Sequence, residues 1–587
     1  MSLNPTEKEP LLQDESTHDV EPVDPAKVIV TTAQKQPPPE DLPSIKRRIN
    51  VLLSFWVVVI FLGIPLWWVT TSIYRAPLPI TEMQNWAEGR ACRVEFPLLV
   101  EVESLTLPEP ESLLKSVQHA LDDANDFSAH HIRLRLAKTN NGKEKDEKEK
   151  SKKGTNKSTE DSREEVAATL RLIPGEKGST KHSYALHPWS RTIDILYSPT
   201  HKLNPSSAAS VANLSSFIAL TLQEIFSEEQ QMITHLLGTS GVSPSTTTPL
   251  TTTSTATNGS GGPPGKAPVD ITRKISRIVR YVPKYHITIS LFTATGVPRS
   301  WDIVSSLESH FQPLLAALSP LSTFTIDTQI QYYASFSPSV QPVWNEDLKA
   351  FTLAKEDLSS FINSAEWPLT FLGEGTAINF IVYIPSPSQS PLLIPSSPTN
   401  SFLIPQWGGV AIFNPPTQPP VLDQKTLKPL MHTFSTQLLS LLGAPSYPPS
   451  LPLSLRLDSL TRQRSAELLV SASSTLGSLA RLTKALPSIA IPATVLSSVQ
   501  TTLQNLQTTC DELKVGNFNA ALRAGRIASE EAEKAFFERT MVSQVYFPEE
   551  HKVAVYLPLL GPVGVPLVMG AVRGWREWRA RKKALGV

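Results

Sequence analysis

Between Arg48 and Arg75 the chain carries 26 consecutive uncharged residues, Ile49 to Tyr74, most of them Val, Leu, Ile, Phe or Trp. A helix of that length crosses a bilayer. Lysine and arginine are retained on the cytoplasmic side, so the cluster Lys46-Arg47-Arg48 assigns residues 1–45 to the cytosol and sends the downstream chain across the membrane. Dozens of polar residues precede the run, and its apolar core is longer than that of a cleaved leader. It therefore reads as a persisting anchor over residues 46–75. Trp67, Trp68 and Tyr74 fall at its far end, where amphipathic rings favour the headgroup layer.

A second run of 20 uncharged residues, Val553 to Val572, lies between Lys552 and Arg573. It predicts a second membrane helix over 552–572. Pro558, Pro562 and Pro566 free carbonyls within it that neighbouring helices or local rearrangement must satisfy, so this helix is expected to pack against protein. The basic tail 573–587 then returns the C-terminus to the cytosol. Both runs agree on one topology: two spans, cytosolic termini and a large lumenal region. Two short sorting patterns flank it. Glu7 to Leu12 resembles an acidic dileucine signal, and Lys582-Lys583 resembles a dilysine retrieval signal with four residues after it instead of two.

Residues 1–45 are rich in Pro, Glu, Asp, Thr and Gln and read as a disordered cytosolic tail, because such a segment cannot bury enough apolar surface to offset its ordering entropy. The same reasoning marks the Lys/Glu-rich run 138–165 and the Thr/Ser/Gly/Pro-rich run 239–268 as mobile insertions. Around them, residues 76–456 alternate strand and helix patterns. Val94–Val102, His130–Ala137, Val166–Ile173, Thr192–Tyr197, His286–Leu291, Phe324–Ile330, Ala377–Ile384 and Val410–Phe413 read as strands. Helical spacing appears from Leu113, over Ser207–Leu237, from Trp301 to Leu318, over Leu348–Glu366 and over Leu427–Leu442. Residues 457–551 turn helical, through Leu460–Leu486, Val495–Leu513 and Phe518–Met541. The fold class is therefore an α/β lumenal domain, a mixed sheet flanked by helices, with a C-terminal helical region and two terminal anchors.

The 54 basic and 54 acidic residues balance to a formal charge of +0, which leaves no broad basic face for nucleic acid. Two cysteines, Cys92 and Cys510, exclude a disulfide-dense scaffold and a multi-cysteine zinc site. Two buried free thiols are the expectation for them; the alternative is one disulfide tying the segment after the first span to the helices before the last. No catalytic, cofactor or metal residues are assigned. Gly261 to Lys266 fails the phosphate-loop spacing. His130 and His131 are adjacent, so on a strand their rings point to opposite faces, and they read as surface histidines rather than shared metal ligands. Three Asn-x-Ser sequons, at Asn156, Asn213 and Asn258, are candidate N-glycosylation sites and fit a lumenal location.

Four segments, in order between the two spans, carry a family resemblance: Trp68 to Pro79; Trp301-Asp302-Ile303 followed by Phe324 to Gln329; Asn379 to Pro385; and Pro405 to Val410. With them the chain resembles, over most of residues 45–587, the phosphatidylinositol-glycan biosynthesis class S (PIG-S) family, subunits of the GPI transamidase of the endoplasmic reticulum. The insertions 138–165 and 239–268 depart from the simplest family pattern. The resemblance implies a non-catalytic scaffold subunit in the endoplasmic reticulum membrane, with no cofactor. Its implied partners are a catalytic caspase-like subunit that holds the nucleophilic cysteine, the membrane subunits, membrane lipid and, indirectly, proprotein and GPI. The competing reading is a stand-alone membrane-anchored lumenal hydrolase or transferase.

Overall fold

An apolar helix opens the described chain. Helix α1 (Leu42–Val58) starts behind Asp41, passes through a π-helical turn at Val59–Gly63 and continues as α2 (Ile64–Thr71). Pro43 sits in the first turn, where its missing N–H has no partner to lose, and the π-helical turn lies just before Pro65, whose ring cannot continue the ordinary ladder. The computed structural model describes residues 41–71, 74–103, 110–125, 127–137, 165–175, 182–197, 208–239, 271–362, 376–417, 419–487, 489–541 and 549–584. They form two units: the two terminal segments together, and Ile73–Pro548. Among the described residues, Pro43–Leu66 is the one helix found long and apolar enough to cross a membrane. The helix begins at Leu42, ahead of the expected Lys46, because Asp41 and Pro43 already form a helix start.

The larger unit contains two five-stranded sheets. After α3 (Ile80–Ala87) come β1 (Phe96–Glu103), α4 (Pro110–Asp123), β2 (His130–Leu136), β3 (Val166–Pro174), β4 (Ser183–Leu186), β5 (Thr192–Tyr197) and α5 (Ala208–Thr239). The second half runs α6 (Ile271–Ile275), β6 (Lys284–Thr293), β7 (Ser300–Trp301), α7 (Ile303–His310), α8 (Gln312–Leu318), β8 (Thr323–Tyr332), β9 (Val343–Asn345) and β10 (Ala350–Thr352). It continues with β11 (Thr376–Ile384), β12 (Leu392–Leu393), β13 (Ser401–Ile404), β14 (Gly408–Ile412), β15 (Val421–Leu422) and α9 (Gln424–Leu441). The strand orders are β2-β1-β3-β5-β4 and β8-β6-β11-β14-β13. Numbered by their place in each half, the strands of both sheets lie in the order second, first, third, fifth, fourth. In each sheet four strands are parallel and the fourth in sequence is an antiparallel edge. Each half also ends in a helix, α5 or α9. The two halves thus repeat one topology although nothing in the sequence pattern announces a repeat.

Both faces of the second sheet are covered: β11 reads accordingly as a near-continuous apolar run, whereas β6 alternates like a half-buried strand over His286–Leu291 yet is buried along most of its length. Ile287, Ile289, Phe380 and Val382 face the side covered by α7, α8 and α9. Phe292, Ile381, Tyr383 and Val410 face a second cluster built around Phe361 and Val340. The chain then becomes helical as α10 (Leu453–Ala485), α11 (Ala493–Val515) and α12 (Phe518–Phe536), and after residues 542–548 as α13 (Glu549–Ala584). Helix α13 runs through Pro558, Pro562 and Pro566, and Val555, Leu557, Val563, Val565 and Val568 on it are exposed.

Several expectations are corrected. The helix expected over Leu348–Glu366 is instead a turn, the strand β10 and a 3-10 helix at Glu356–Ser360, with residues 363–375 outside the described set. Asn345 Oδ1 accepts the N–H groups of Asp347 and Leu348, Lys349 adopts φ 47°, and Phe351 packs on Trp344 at 5.1 Å, so a capped hairpin turn outcompetes the helical spacing. The helix expected from Trp301 to Leu318 breaks at Phe311, because Pro313 in the first turn of α8 cannot donate to the preceding turn. Of the two expected insertions, 138–164 and 240–268 lie outside the described residues. Their flanks are built into the fold: Glu165 N–H donates to the Gly516 carbonyl, and Thr239 ends α5.

Candidate functional site

Helix α10 joins the parts of the larger unit. Leu455 enters the core of the first sheet, Leu460 and Leu468 the core of the second, and Ala466, Leu469 and Leu476 the helical core with α11 and α12. Residues 459–466 are buried without interruption. A helix surrounded on all sides must hold apolar groups or satisfied polar ones, and here it holds Arg462 and Arg464.

The two arginines anchor a buried ionic seam. Arg462 donates from Nε to Glu229 Oε1 at 2.5 Å and from Nη2 to Oε2 at 2.7 Å, a bidentate pair with both side chains 2% exposed. His130 Nε2 lies 3.4 Å from the same carboxylate. Burial raises the Glu229 carboxyl, and the opposing charge and hydrogen bonds of Arg462, with His130, override it and hold the group well below the usual carboxylate range. Beside it, Glu228 accepts from Lys274 and from the backbone N–H groups of Ser446 at 2.7 Å and Tyr447 at 2.9 Å. Burial pulls the Lys274 ammonium below its usual value against the raising effect of Glu228. Arg464 Nη2 donates to the Leu442 carbonyl at 2.8 Å, where a cation suits the C-terminal end of α9. Consecutive glutamates on α5 therefore reach α10 through one side chain and the α9–α10 connection through the other. A carboxyl depressed in this way is poorly matched to general-acid work at neutral pH; what the arrangement supplies is fixed geometry between elements.

A second joint holds the chain where it leaves the terminal unit. Ala76 N–H donates to the Ile491 carbonyl at 2.9 Å, and Ile491 N–H to the Tyr74 carbonyl at 3.0 Å. Arg75 Nη2 donates to the Thr483 carbonyl at 2.9 Å, and Nη1 reaches those of Leu486 and Pro487, so this guanidinium caps the C-terminal end of α10. Helix α3 then lies on α10 so closely that a Cβ on Gly477 would sit 2.3 Å from the Ala87 Cβ. Cys92 and Cys510 end this segment in a disulfide with a Cα–Cα distance of 6.3 Å, in place of two free thiols. The physical reason is that α3 and α11 share one core, which brings together positions 418 residues apart.

The motif segments also serve packing. Asn379 to Pro385 covers most of the central strand β11, and Pro405 to Val410 leads into its neighbour β14, with Asn379 opposite Gly408. A Cβ on Gly408 would meet the Asn379 carbonyl oxygen at 1.8 Å, so only glycine lets the strands approach. We expect Gly408→Ala to lower stability by about 1–3 kcal/mol, read as a lower unfolding midpoint with the disulfide intact. On β8, Thr325 Oγ1 meets His286 Nδ1 at 2.9 Å and Gln329 Nε2 donates to Ser290 Oγ at 2.9 Å, zipping that motif to β6. Asp302 accepts from Ser305 at the start of α7.

The reading of both adjacent histidines as surface groups is corrected for His130, which is 3% exposed because its face of β2 meets Glu229; His131 accepts from Arg133 Nε on the other face. Asn213 is exposed on α5 while Ser215 of its sequon is buried; Asn156 and Asn258 lie outside the described residues. Among the described residues no group of three His, Cys, Asp or Glu is arranged to hold a metal ion. Sequence reasoning missed the seam. Arg462 and Arg464 lie in the polar stretch Thr461–Ser465 of α10, and Glu228-Glu229 in α5 is followed by Gln230-Gln231, so neither side of the seam carries a local mark of burial.

A family model described as "Phosphatidylinositol-glycan biosynthesis class S protein" matches residues 54–581. The chain is 28% identical over 551 residues to the Schizosaccharomyces pombe "GPI transamidase component PIG-S homolog", covering 92% of this chain and 86% of that protein. It is 28% identical over 579 residues to the human "GPI-anchor transamidase component PIGS", covering 92% and 98%. The Saccharomyces cerevisiae "GPI transamidase component GPI17" is 28% identical over 581 residues, covering 92% and 95%.

Proposed function

The chain belongs to the phosphatidylinositol-glycan biosynthesis class S family, and from that premise we propose that it acts as a component of the GPI transamidase in the attachment of GPI to proteins. The observation that carries this is the match over nearly the whole chain to proteins named as components of that enzyme. Such names weigh against a stand-alone hydrolase or transferase. Depletion is expected to lower GPI-anchored proteins at the cell surface and to accumulate uncleaved precursors. Normal surface levels without precursor would overturn the assignment.

Within the complex the chain is a non-catalytic scaffold of the endoplasmic reticulum membrane, with the catalytic cysteine in another subunit. Supporting this, the buried charges at α5, α9 and α10 are spent on joining elements. Two spans, α1–α2 and α13, place both termini in the cytosol and residues 76–551 in the lumen. The outward-facing apolar residues of α13 and the basic tail behind it support the second span. The Cys92–Cys510 bond suits an oxidising lumen, and glycans at Asn156, Asn213 and Asn258 would mark the same side. The purified chain alone is expected to be inert and to co-purify with the other subunits from membranes; turnover by the isolated chain would refute the scaffold role.

A further inference from the structure

The connection between the fourth and fifth strands occurs once in each half of the larger unit, and the two copies are used differently. In the second half it is Pro405-Gln406-Trp407, between β13 and β14. Gln406 donates from its N–H to the Arg277 carbonyl at 3.1 Å and from Nε2 to that of Ser276 at 3.3 Å, and Trp407 packs on the cluster around Phe361 and Val340. The chain thus covers this corner of its own fold. In the first half the connection is His187-Pro188-Trp189-Ser190-Arg191, between β4 and β5. Trp189 at its tip is 93% exposed, more than any other large hydrophobic side chain among the described residues. The turn that carries it is held firmly. His187 N–H donates to the Thr192 carbonyl at 3.2 Å, Ser190 Oγ accepts from Thr192 N–H at 3.2 Å, and His187 Nε2 lies 2.9 Å from Asp194 Oδ2. Arg191 makes a bidentate pair with Asp458 at 2.5 and 2.8 Å, which fixes the turn to α10. A ring offered to water on a preordered turn gains nothing in the isolated chain, whereas on binding it buries roughly 200 Å² and loses little conformational freedom.

We propose that Trp189 is a docking anchor for another protein subunit of the transamidase: its indole enters an apolar pocket of the partner, edged by a carbonyl that accepts the indole N–H. The carbonyl is required because a buried indole N–H is ordinarily paired. The second half indicates the class of occupant. What covers the equivalent connection there is protein, through main-chain carbonyls and an apolar cluster, and the partner supplies both for the first half. A bilayer surface offers no such pocket, and the turn sets beside Trp189 a proline and an arginine paired with Asp458 rather than the free cations and apolar stripe of an interfacial anchor. The inference rests on the chain's role as a component of that complex.

The test places a photoreactive group at the tip, Trp189→p-benzoylphenylalanine, in the full chain within its membranes, and identifies the adduct by mass spectrometry. The expected adduct is to one other transamidase subunit. Trp189→Ala should weaken recovery of that subunit, its affinity falling on the order of thirtyfold, and Trp189→Phe should keep more of it. The unfolding midpoint of the alanine variant should not move, since the side chain it removes already faces water. The crosslink reads the contact even where that variant loses stability. An adduct only to lipid or to a protein outside the complex, no adduct, or undiminished recovery with Trp189→Ala overturns the proposal. An unsubstituted chain that co-purifies with no transamidase subunit defeats the component reading together with it. Normal co-purification by both the unsubstituted chain and Trp189→Ala defeats this proposal alone.

Discussion

Replacing Arg462 by alanine is expected to cost about 3–5 kcal/mol, because it strands the Glu229 carboxylate inside the protein without its bidentate partner. Neither side chain has water to fall back on, each being 2% exposed. The loss should appear as a lower unfolding midpoint and weaker recovery of the complex. Glu229→Gln combined with Arg462→Met removes both charges and should recover much of the stability, since pairing a buried charge and removing it are alternative ways to avoid the same penalty. An equal loss in the double variant would show that packing around α10, rather than charge, sets the effect. The same pair predicts acid sensitivity. The Glu229 carboxyl is depressed in the folded chain, so its contribution is present above the ordinary glutamate value and is withdrawn as pH falls through the depressed one. Unfolding against pH should therefore steepen on the acid side, and the double variant should flatten that limb.

Removing the Cys92–Cys510 bond with Cys510→Ser is expected to cost about 2–5 kcal/mol. The bond closes a 418-residue separation, so it constrains the unfolded chain strongly, while in the folded chain it secures the segment between Arg75 and α11. That segment has a second hold in the Arg75 cap on α10 and the backbone pairing with Ile491. Cys510→Ser and Arg75→Ala therefore act on one stretch, and their combined cost should differ from the sum of the two. Faster proteolysis within residues 74–92 than elsewhere in the unit would report the loosening directly. Unchanged cleavage in both single variants and in the combination would mean that the α3 packing alone suffices.

Much of the architecture was legible from pattern alone. Periodicity located β1, β6, β8 and β11, the long helices α5, α9, α11 and α12, and the helical character of the region after residue 457, because each buries one face or both and repeats accordingly. It failed at Leu348–Glu366, where the side chain of Asn345 and the left-handed Lys349 decide the backbone locally. It also failed at Trp301–Leu318, where one proline outweighs helical spacing. The motif segments were visible as sequence, but their physical use was not. Gly408 matters because Asn379, 29 residues earlier, lies directly beside it in a parallel pair.

By itself the sequence determined the long apolar helix near the N-terminus, the charge asymmetry around it, the α/β character and the family, since these depend on runs, balances and local order. Only the tertiary structure decided that two sheets share one strand order, that Cys92 meets Cys510, and that Arg462 neutralises Glu229 from 233 residues away. Long-range pairing has no local signature: a buried arginine and a surface arginine look alike until the surrounding elements close over one of them.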